Sequence, residues 1–156
     1  MPITTCAIAA ERTLAFRQAH MWPDKPLDHV KVPGDETALH LGAFDGETLI
    51  GVASFFPQVS RVQLRKLAIA PAYRSAGLGS QLVKEGAVLA QKKGFTELWC
   101  DARQTARGFY ERLGFAVEDE TFEKSGLTYQ IARLNLTDQP QSAIACRPKH
   151  LQPEQL

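Results

Sequence analysis

The residues with the clearest chemical meaning stand just before a helix-forming stretch, as Arg74, Gly77 and Gly79 in the segment PAYRSAGLGSQLV. The first main-chain N–H groups of a helix have no partners within the helix, and the helix dipole adds partial positive charge there. Glycines remove the Cβ atoms that would keep an anion away from those groups, and an arginine adds a forked cation. The spacing therefore predicts a site for a phosphate or a pyrophosphate.

Two common nucleotide-binding patterns do not fit this segment. The chain has no G-x-x-x-x-G-K-[ST] motif, and the stretch GLGSQL lacks the third glycine of G-x-G-x-x-G. What remains is an arginine followed by two closely spaced glycines. Taken alone, this pattern leaves open the alternative of a glycine-rich helix entry that holds no ligand.

The hydrophobic pattern predicts the elements that position this segment, with Asp45-Gly46 as the turn of a hairpin. The expected strands span residues 3–9, 37–44, 48–57, 62–70, 95–102, 115–122 and 127–136, and the expected helices span residues 11–21, 80–94 and 105–114. Strands dominate the first half and a β-α-β-α unit follows. The order predicts an α/β fold of the α+β type, a mixed sheet with helices on its faces.

Composition excludes several classes of protein. The chain has 156 residues, with 44% hydrophobic and 22% charged residues and a formal net charge of +1, as expected for one soluble globular domain without an affinity for nucleic acid or membranes. The three cysteines are far apart, so they form neither a metal-binding spacing nor a disulfide framework. The N-terminus lacks the pattern of a secretory signal. We therefore expect a cytoplasmic protein with no metal, one domain over residues 1–136 and a flexible tail over residues 137–156.

Four segments, in order along the chain, resemble the GNAT superfamily of N-acetyltransferases. LAIAPAYRSAGLGSQLV resembles the strand, loop and helix that hold coenzyme A, with the [Q/R]-x-x-G-x-[G/A] signature as Arg74, Gly77 and Gly79. GVASF, ARGFYERLGF and FEKSGLTYQIARL resemble the preceding strand, the A-x-x-F-Y-x-x-x-G-F segment and the last strand pair. The resemblance covers roughly residues 37–136 and extends to a poorly characterised subgroup of small bacterial members. It implies a central mixed, mostly antiparallel sheet with helices on both faces, and acetyl-CoA as the co-substrate.

The resemblance also implies how acetyl-CoA is held. N–H groups of residues 76–80 bind the pyrophosphate, and the strand with Leu67 and Ile69 pairs with the pantetheine arm as an added strand would. A splayed strand pair around residues 95–102 opens a slot for that arm, and a main-chain donor near Leu67 polarises the thioester carbonyl. The predicted cofactor-binding residues are Leu67, Ala68, Ile69, Arg74, Ser75, Ala76, Gly77, Leu78, Gly79, Ser80, Arg103 and Tyr110.

Tyr110 is the predicted catalytic acid. Coenzyme A leaves as a thiolate that needs a proton, and a tyrosine with a pKa of about 10 can supply it. The alternative is a packing role beside Phe109 and Phe115. Arg103 stands where many members have an asparagine, and it is expected to meet a phosphate, an acidic substrate or solvent. A covalent route through Cys100 is the less favoured alternative, since a small buried hydrophobe is common in such a strand.

The general base is missing from its usual place, because Gln63 stands where some members have a glutamate. His40 and Asp101 are candidates to receive the proton, directly or through water. The alternatives are a hydrogen-bonded structural histidine and an aspartate that caps a turn. An amine with a lowered pKa would need no base.

The acceptor pocket is expected between the first helix with its loop and the last strand pair. Trp22 with Asp24 would attract an ammonium group, or Trp22 would only pin the loop. Arg65 and Lys66 favour an acceptor that carries a carboxylate. The predicted substrate residues are Trp22, His40, Arg65, Asp101 and Tyr129.

The sequence thus predicts transfer of an acetyl group to a primary amine of a small molecule, such as an amino acid or another zwitterion, or of a protein. The rival hypothesis is a non-catalytic module that binds or senses acyl-CoA. Dimers are frequent in the family, so a homodimer is the oligomer considered, with the apolar stretch ASFF at the contact.

Overall fold

The computed structural model describes residues 3–137, so the tail predicted from residue 137 lies, apart from that residue, outside the described residues. Within this part, eight strands form one sheet and three α-helices pack against it. The strands are β1 (Ile3–Ala7), β2 (Leu39–Asp45), β3 (Thr48–Gln58), β4 (Arg61–Ile69), β5 (Glu97–Arg103), β6 (Ala116–Val117), β7 (Phe122–Lys124) and β8 (Leu127–Asn135), and the helices are α1 (Ala10–Met21), α2 (Leu78–Lys92) and α3 (Arg107–Arg112). None of these helices is both long enough and apolar enough to cross a membrane.

The sheet has the order β1-β2-β3-β4-β5-β8-β6, and β7 also pairs with β8. Strands β4 and β5 are parallel, joined through α2, and all other pairs are antiparallel. The predicted mixed, mostly antiparallel sheet is therefore confirmed.

Helices cover both faces of the sheet, as two neighbouring residues of β3 show. The guanidinium of Arg17 on α1 donates to the Ser54 hydroxyl, while Gly86 on α2 lies against the Phe55 ring. Successive side chains of a strand point to opposite faces, so α1 and α2 lie on opposite sides. A Cβ at position 86 would come within 2.0 Å of that ring, so the glycine allows α2 to pack closely on the sheet.

The end of the chain differs from the prediction in one respect. Residues 115–122 were expected to form one strand, but the structure has two short strands, β6 and β7, both paired with β8. Between them, residues 118–121 face only residues 130–131 of β8, so the chain must leave the ladder. Three of the four residues 118–121 are the adjacent carboxylates Glu118, Asp119 and Glu120, which favour solvent over a ladder position.

Candidate active site

The cavity opens where two neighbouring strands separate. Strands β4 and β5 pair only at their beginnings, residues 61–63 with residues 97–99. Beyond that point β4 runs on to Ile69 and β5 to Arg103, and a cavity of about 1160 Å³ lies between them. This is the slot that the resemblance implies.

A β-bulge bends β4 at the middle of this slot. Ser54 of β3 pairs with Arg65, but Val52 pairs with Ala68, so β4 carries one extra residue there. Lys66 lies in this extra part of the strand and has a left-handed φ of 59°. Such a conformation is uncommon for a residue with a side chain. A bulge bends its strand and leaves the extra residue out of the ladder, so the bulge alters both side-chain direction and main-chain pairing beside the cavity.

The glycine loop has the main-chain geometry that an anion needs. Gly77 caps α2 with a φ of 81°, and a Cβ added there would meet no atom within 4 Å. Ser75 also has a positive φ, of 72°. No hydrogen bond within the described part of the chain uses the main-chain N–H groups of residues 75–80. Concave runs of such N–H groups bind anions, so this loop fits a pyrophosphate.

Arg74 holds the end of β4 rather than reaching far into the cavity. Its Nε donates to the Ile69 carbonyl at 3.3 Å, and the residue is exposed. The arginine of the signature therefore fixes the loop against the strand and keeps its positive charge beside the N–H groups.

Most residues predicted to bind the cofactor or the acceptor line this one cavity. Of the predicted cofactor-binding residues, Ala76 is not among the lining residues, and of the predicted substrate residues, His40 is not. The lining includes Trp22, Arg65, Leu67, Ala68, Ile69, Arg74, Ser75, Gly77, Leu78, Gly79, Ser80, Asp101, Arg103, Tyr110 and Tyr129.

Tyr110 is packed and is also directed to the cavity. It is 8% exposed, and its ring makes edge contacts with Phe109 and Phe115 at centroid distances of 4.9 and 5.3 Å. Burial is the main reason that the pKa of its phenol is raised, with a hydrogen bond to the Cys100 thiol adding to the effect. The phenol is therefore fully protonated at neutral pH, as a proton donor must be.

Cys100 lacks the surroundings of a nucleophile. Burial raises the pKa of its thiol to about 12, although the hydrogen bond with Tyr110 acts in the opposite direction. Since the thiolate is the reactive form, nothing around Cys100 supports a covalent acetyl-cysteine.

Trp22 and Lys66 form one wall of the other end of the cavity. Trp22 is the C-cap residue that follows α1. The Lys66 ammonium lies 4.6 Å from the centroid of the Trp22 ring. The His29 ring meets the same indole edge-on at 5.4 Å. The face of Trp22 that was expected to attract a substrate ammonium thus already contacts a lysine of the protein.

Asp101 and Tyr129 share a lysine on the opposite wall. The Lys124 ammonium is 3.1 Å from Asp101 Oδ2 and 4.6 Å from the Tyr129 ring centroid. Tyr129 in turn stacks on Phe122. Asp101 is the one carboxylate among the described residues that line the cavity, where the lysines and arginines are Arg65, Lys66, Arg74, Arg103, Arg112 and Lys124. This excess of positive charge favours an anionic group on the ligand.

A buried polar network supports the acceptor end from beneath. Arg17, which is 0% exposed, makes two hydrogen bonds of 3.0 Å to the Asp35 carboxylate. It also donates to the Val30 carbonyl and the Ser54 hydroxyl, both at 3.0 Å. The loop after Trp22 is therefore tied at two points to α1 and β3. Sequence reasoning missed this network.

His40 belongs to the same network. One ring nitrogen is 2.7 Å from the Ser54 hydroxyl and the other is 2.7 Å from the Asp35 carbonyl, and the residue is buried. These contacts support the alternative that His40 is a hydrogen-bonded structural histidine. Burial raises the pKa of Asp35, but hydrogen bonds from Arg17 and from the Val32 N–H outweigh it and hold that pKa below its usual value.

The chain matches the family model described as the Acetyltransferase (GNAT) family over residues 7–115. The uncharacterized N-acetyltransferase YitI of Bacillus subtilis (strain 168) is 33% identical over 129 residues, which are 77% of this chain and 87% of the relative. The chain therefore belongs to the GNAT acetyltransferase family, and it is an acetyl-CoA-dependent N-acetyltransferase.

Solved structures show the same fold. An acyl-CoA N-acyltransferase from Pseudomonas aeruginosa has a TM-score of 0.70 at 19% identity, covering 85% of this chain and 99% of its own. The PaiA N-acetyltransferase of Thermoplasma acidophilum, solved with coenzyme A, has a TM-score of 0.65 at 21% identity, covering 86% of this chain and 99% of its own. The fold of the described residues is thus that of these N-acyltransferases.

Proposed function

We propose that the protein transfers the acetyl group of acetyl-CoA directly to the primary amine of a small molecule that also carries an anionic group, such as an amino acid or another zwitterion. The other acceptor considered is a primary amine of a protein. The observation that carries the proposal is a single cavity that runs from the glycine loop, past the unpaired part of β4, to Tyr110 and the cationic wall.

The cofactor end fits the diphosphate and the arm of acetyl-CoA, which supplies the activated acetyl group. The N–H groups of residues 75–80 would bind the diphosphate, because no protein group in residues 3–137 uses them. Among the described residues, none pairs with the edge of β4 over residues 67–69 on the β5 side, so this edge would pair with the arm. Tyr110 would give its proton to the sulfur as the C–S bond breaks.

The acceptor end fits a zwitterion. Arg65 lines the cavity, and its guanidinium would bind a carboxylate there. Asp101 is the carboxylate that an ammonium would meet, in exchange for Lys124. Opposite charges on the two walls would orient the amine, which is how binding energy aids reaction.

A second candidate function is a non-catalytic acyl-CoA sensor. Gln63 lines the cavity but cannot accept a proton, and its side-chain oxygen accepts a hydrogen bond from Gln58. A base at that position is therefore absent from the described cavity, which is the observation in favour of this candidate.

A thiol-release assay separates the two functions. Purified protein is given acetyl-CoA and a panel of amino acids, their methyl esters, polyamines and peptides, while CoA binding is measured by calorimetry. We expect release of CoA with the free amino acids and much less with their esters. The variant Tyr110→Phe should lower turnover by about 10²-fold or more with CoA binding retained.

Tyr73→Phe is the matched control. Tyr73 lines the same cavity, but its hydroxyl is hydrogen bonded to the Asp45 carboxylate at 2.5 Å, so turnover should stay close to that of the unmodified protein. CoA binding without turnover for any amine would support the sensor, and lack of CoA binding would refute both functions.

A further inference from the structure

We infer that Lys66 is a site of self-acetylation, at which the ε-amine of this lysine takes the acetyl group from acetyl-CoA bound in the same cavity. The inference rests on the proposed function, because it needs acetyl-CoA at the cofactor end. It goes beyond that function, since the acceptor is a residue of the enzyme.

The bulge of β4 carries Lys66 to the cavity. The residue directly precedes Leu67, where the arm is expected, and it lines the cavity together with Tyr110. Its ammonium lies 4.6 Å from the Trp22 ring centroid, which keeps it within the acceptor half. Its left-handed φ of 59° is part of the bulge, so the fold of β4 places Lys66 in the cavity wall.

Lys66 differs from the other lysine of the cavity in its partners. Within residues 3–137, no carboxylate forms an ion pair with Lys66, whereas Lys124 pairs with Asp101 and the exposed Lys31 pairs with Asp28. An ion pair holds a lysine in its charged, unreactive form. Lys66 has an aromatic face and no such pair.

Charge and burial also favour the reactive form of Lys66. Burial lowers the pKa of its amine, and the positive charges of Arg65, Arg17 and Lys124 lower it further, against a small opposing effect of Asp35. The hydrogen bond and charge of Asp28, in contrast, raise the pKa of Lys31. A larger share of neutral amine at Lys66 is the condition for nucleophilic attack.

The reaction is an ordinary aminolysis of a thioester. The nitrogen lone pair of neutral Lys66 attacks the carbonyl carbon, a C–N bond forms and the C–S bond breaks. The sulfur leaves as a thiolate and takes the proton of Tyr110, and the proton lost from nitrogen restores the phenol through water. The products are CoA as a thiol and Nε-acetyl-lysine at position 66, with no other reactant.

Acetylation would change the acceptor end of the site. It removes the positive charge that lies over Trp22 and adds an acetyl group to the cavity wall. Because the ligand is expected to be anionic, the acetylated enzyme should bind its acceptor less well. Self-acetylation would therefore limit turnover when acetyl-CoA is abundant and the acceptor is scarce.

The test uses the full chain with acetyl-CoA and no amine, followed over time by intact mass and by peptide mapping. We expect one acetyl group per chain at Lys66, at a rate that saturates with acetyl-CoA and falls when unacetylated CoA is added as a competitor. Lys66→Arg keeps the charge and should abolish the adduct. Lys31→Arg, at an exposed lysine that pairs with Asp28 outside the cavity, should retain it.

Two results would overturn the inference. Acetylation of the exposed Lys92 and Lys93 at the same rate as Lys66, unaffected by competing CoA, would be solution chemistry. Absence of an adduct while calorimetry detects CoA binding and thiol release continues with added amines would refute self-acetylation alone. Lack of CoA binding would instead refute the proposed function, and self-acetylation with it.

Discussion

The two ends of the cavity are built from different parts of the chain. The cofactor end, residues 67–80, consists mainly of main-chain groups: a strand edge that β5 does not pair with, and a loop whose N–H groups make no hydrogen bond within residues 3–137. The acceptor end consists of side chains, and these depend on the Arg17–Asp35 network beneath them. A main-chain site depends on backbone conformation, so its residues are glycines and helix ends, whereas a side-chain site depends on partners far apart in sequence.

The largest effect is expected where the acceptor end is supported. Arg17→Met leaves the Asp35 carboxylate buried without its cation, and such losses cost about 3–5 kcal/mol. The free energy of unfolding, measured in urea, should fall by that amount. Arg12→Met is the control, because Arg12 is exposed on the same helix and only covers the Phe44 ring. Its cost should be about 1 kcal/mol or less.

The effect of Arg17→Met should depend on pH. In the native protein the lowered pKa of Asp35 stabilises folding above the pKa of the unfolded chain, and this contribution is lost as pH falls through the folded pKa. Without Arg17, burial raises the pKa of Asp35, so the folded variant is favoured by protonation. The deficit should be largest near pH 7 and shrink toward about pH 4. A deficit that does not change with pH would mean that packing alone was lost.

The second effect concerns the helix that carries the cofactor end. In Gly86→Ala the new Cβ would overlap the buried Phe55 ring, and such overpacking costs about 1–3 kcal/mol, although alanine favours a helix by about 1 kcal/mol. Gly108→Ala in α3 is the control, since its Cβ would meet only the flexible end of Arg112 at 3.2 Å. That variant should be as stable as the native protein or more so. Because Gly108→Ala has the same gain in helix preference, Gly86→Ala should be less stable than that control by about 1–3 kcal/mol, and equal stability of the two variants would mean that α2 can shift without cost.

The third effect separates backbone strain from ligand binding. Gly77→Ala and Gly94→Ala both place a side chain at a positive φ where a Cβ meets no atom within 4 Å, so each should cost about 1–2 kcal/mol of unfolding free energy. Only Gly77 lines the cavity. Calorimetry should find CoA binding weaker by about tenfold, or 1.4 kcal/mol, for Gly77→Ala alone. Equal CoA affinities in the two variants would contradict the proposal that the main-chain N–H groups at Gly77 bind the diphosphate.

The difference between the two ends explains what could be predicted from the sequence. The helix entry at Gly77 could be predicted because it is a local feature of the sequence, and Gly77 is the N-cap of α2. The bulge at Lys66 could not, since it is defined by the pairing of β4 with β3, and a lysine has no preference for such a position.

The network at the acceptor end left no pattern in the sequence for the same reason. Helix α1 buries Thr13 and Arg17 beside Phe16, so polar residues occupy its inner face and weaken its apolar periodicity. A buried arginine cannot be distinguished from an exposed one until its partner, Asp35 in a distant loop, is placed. His40 likewise has the residue type of a base, and only its two hydrogen bonds show the structural role.

The smallest effect on stability should come from the other ion pair of the acceptor end. Lys124 and Asp101 are 3.1 Å apart, as close as Arg17 and Asp35, but their side chains are 48% and 23% exposed. Asp101→Asn should change the free energy of unfolding by about 1 kcal/mol or less, because water screens an exposed pair. The same variant should raise the KM for the amine in the thiol-release assay while CoA affinity stays constant, since Asp101 lines the acceptor half. A loss of stability as large as that of Arg17→Met would show that support and binding at this end are not separate.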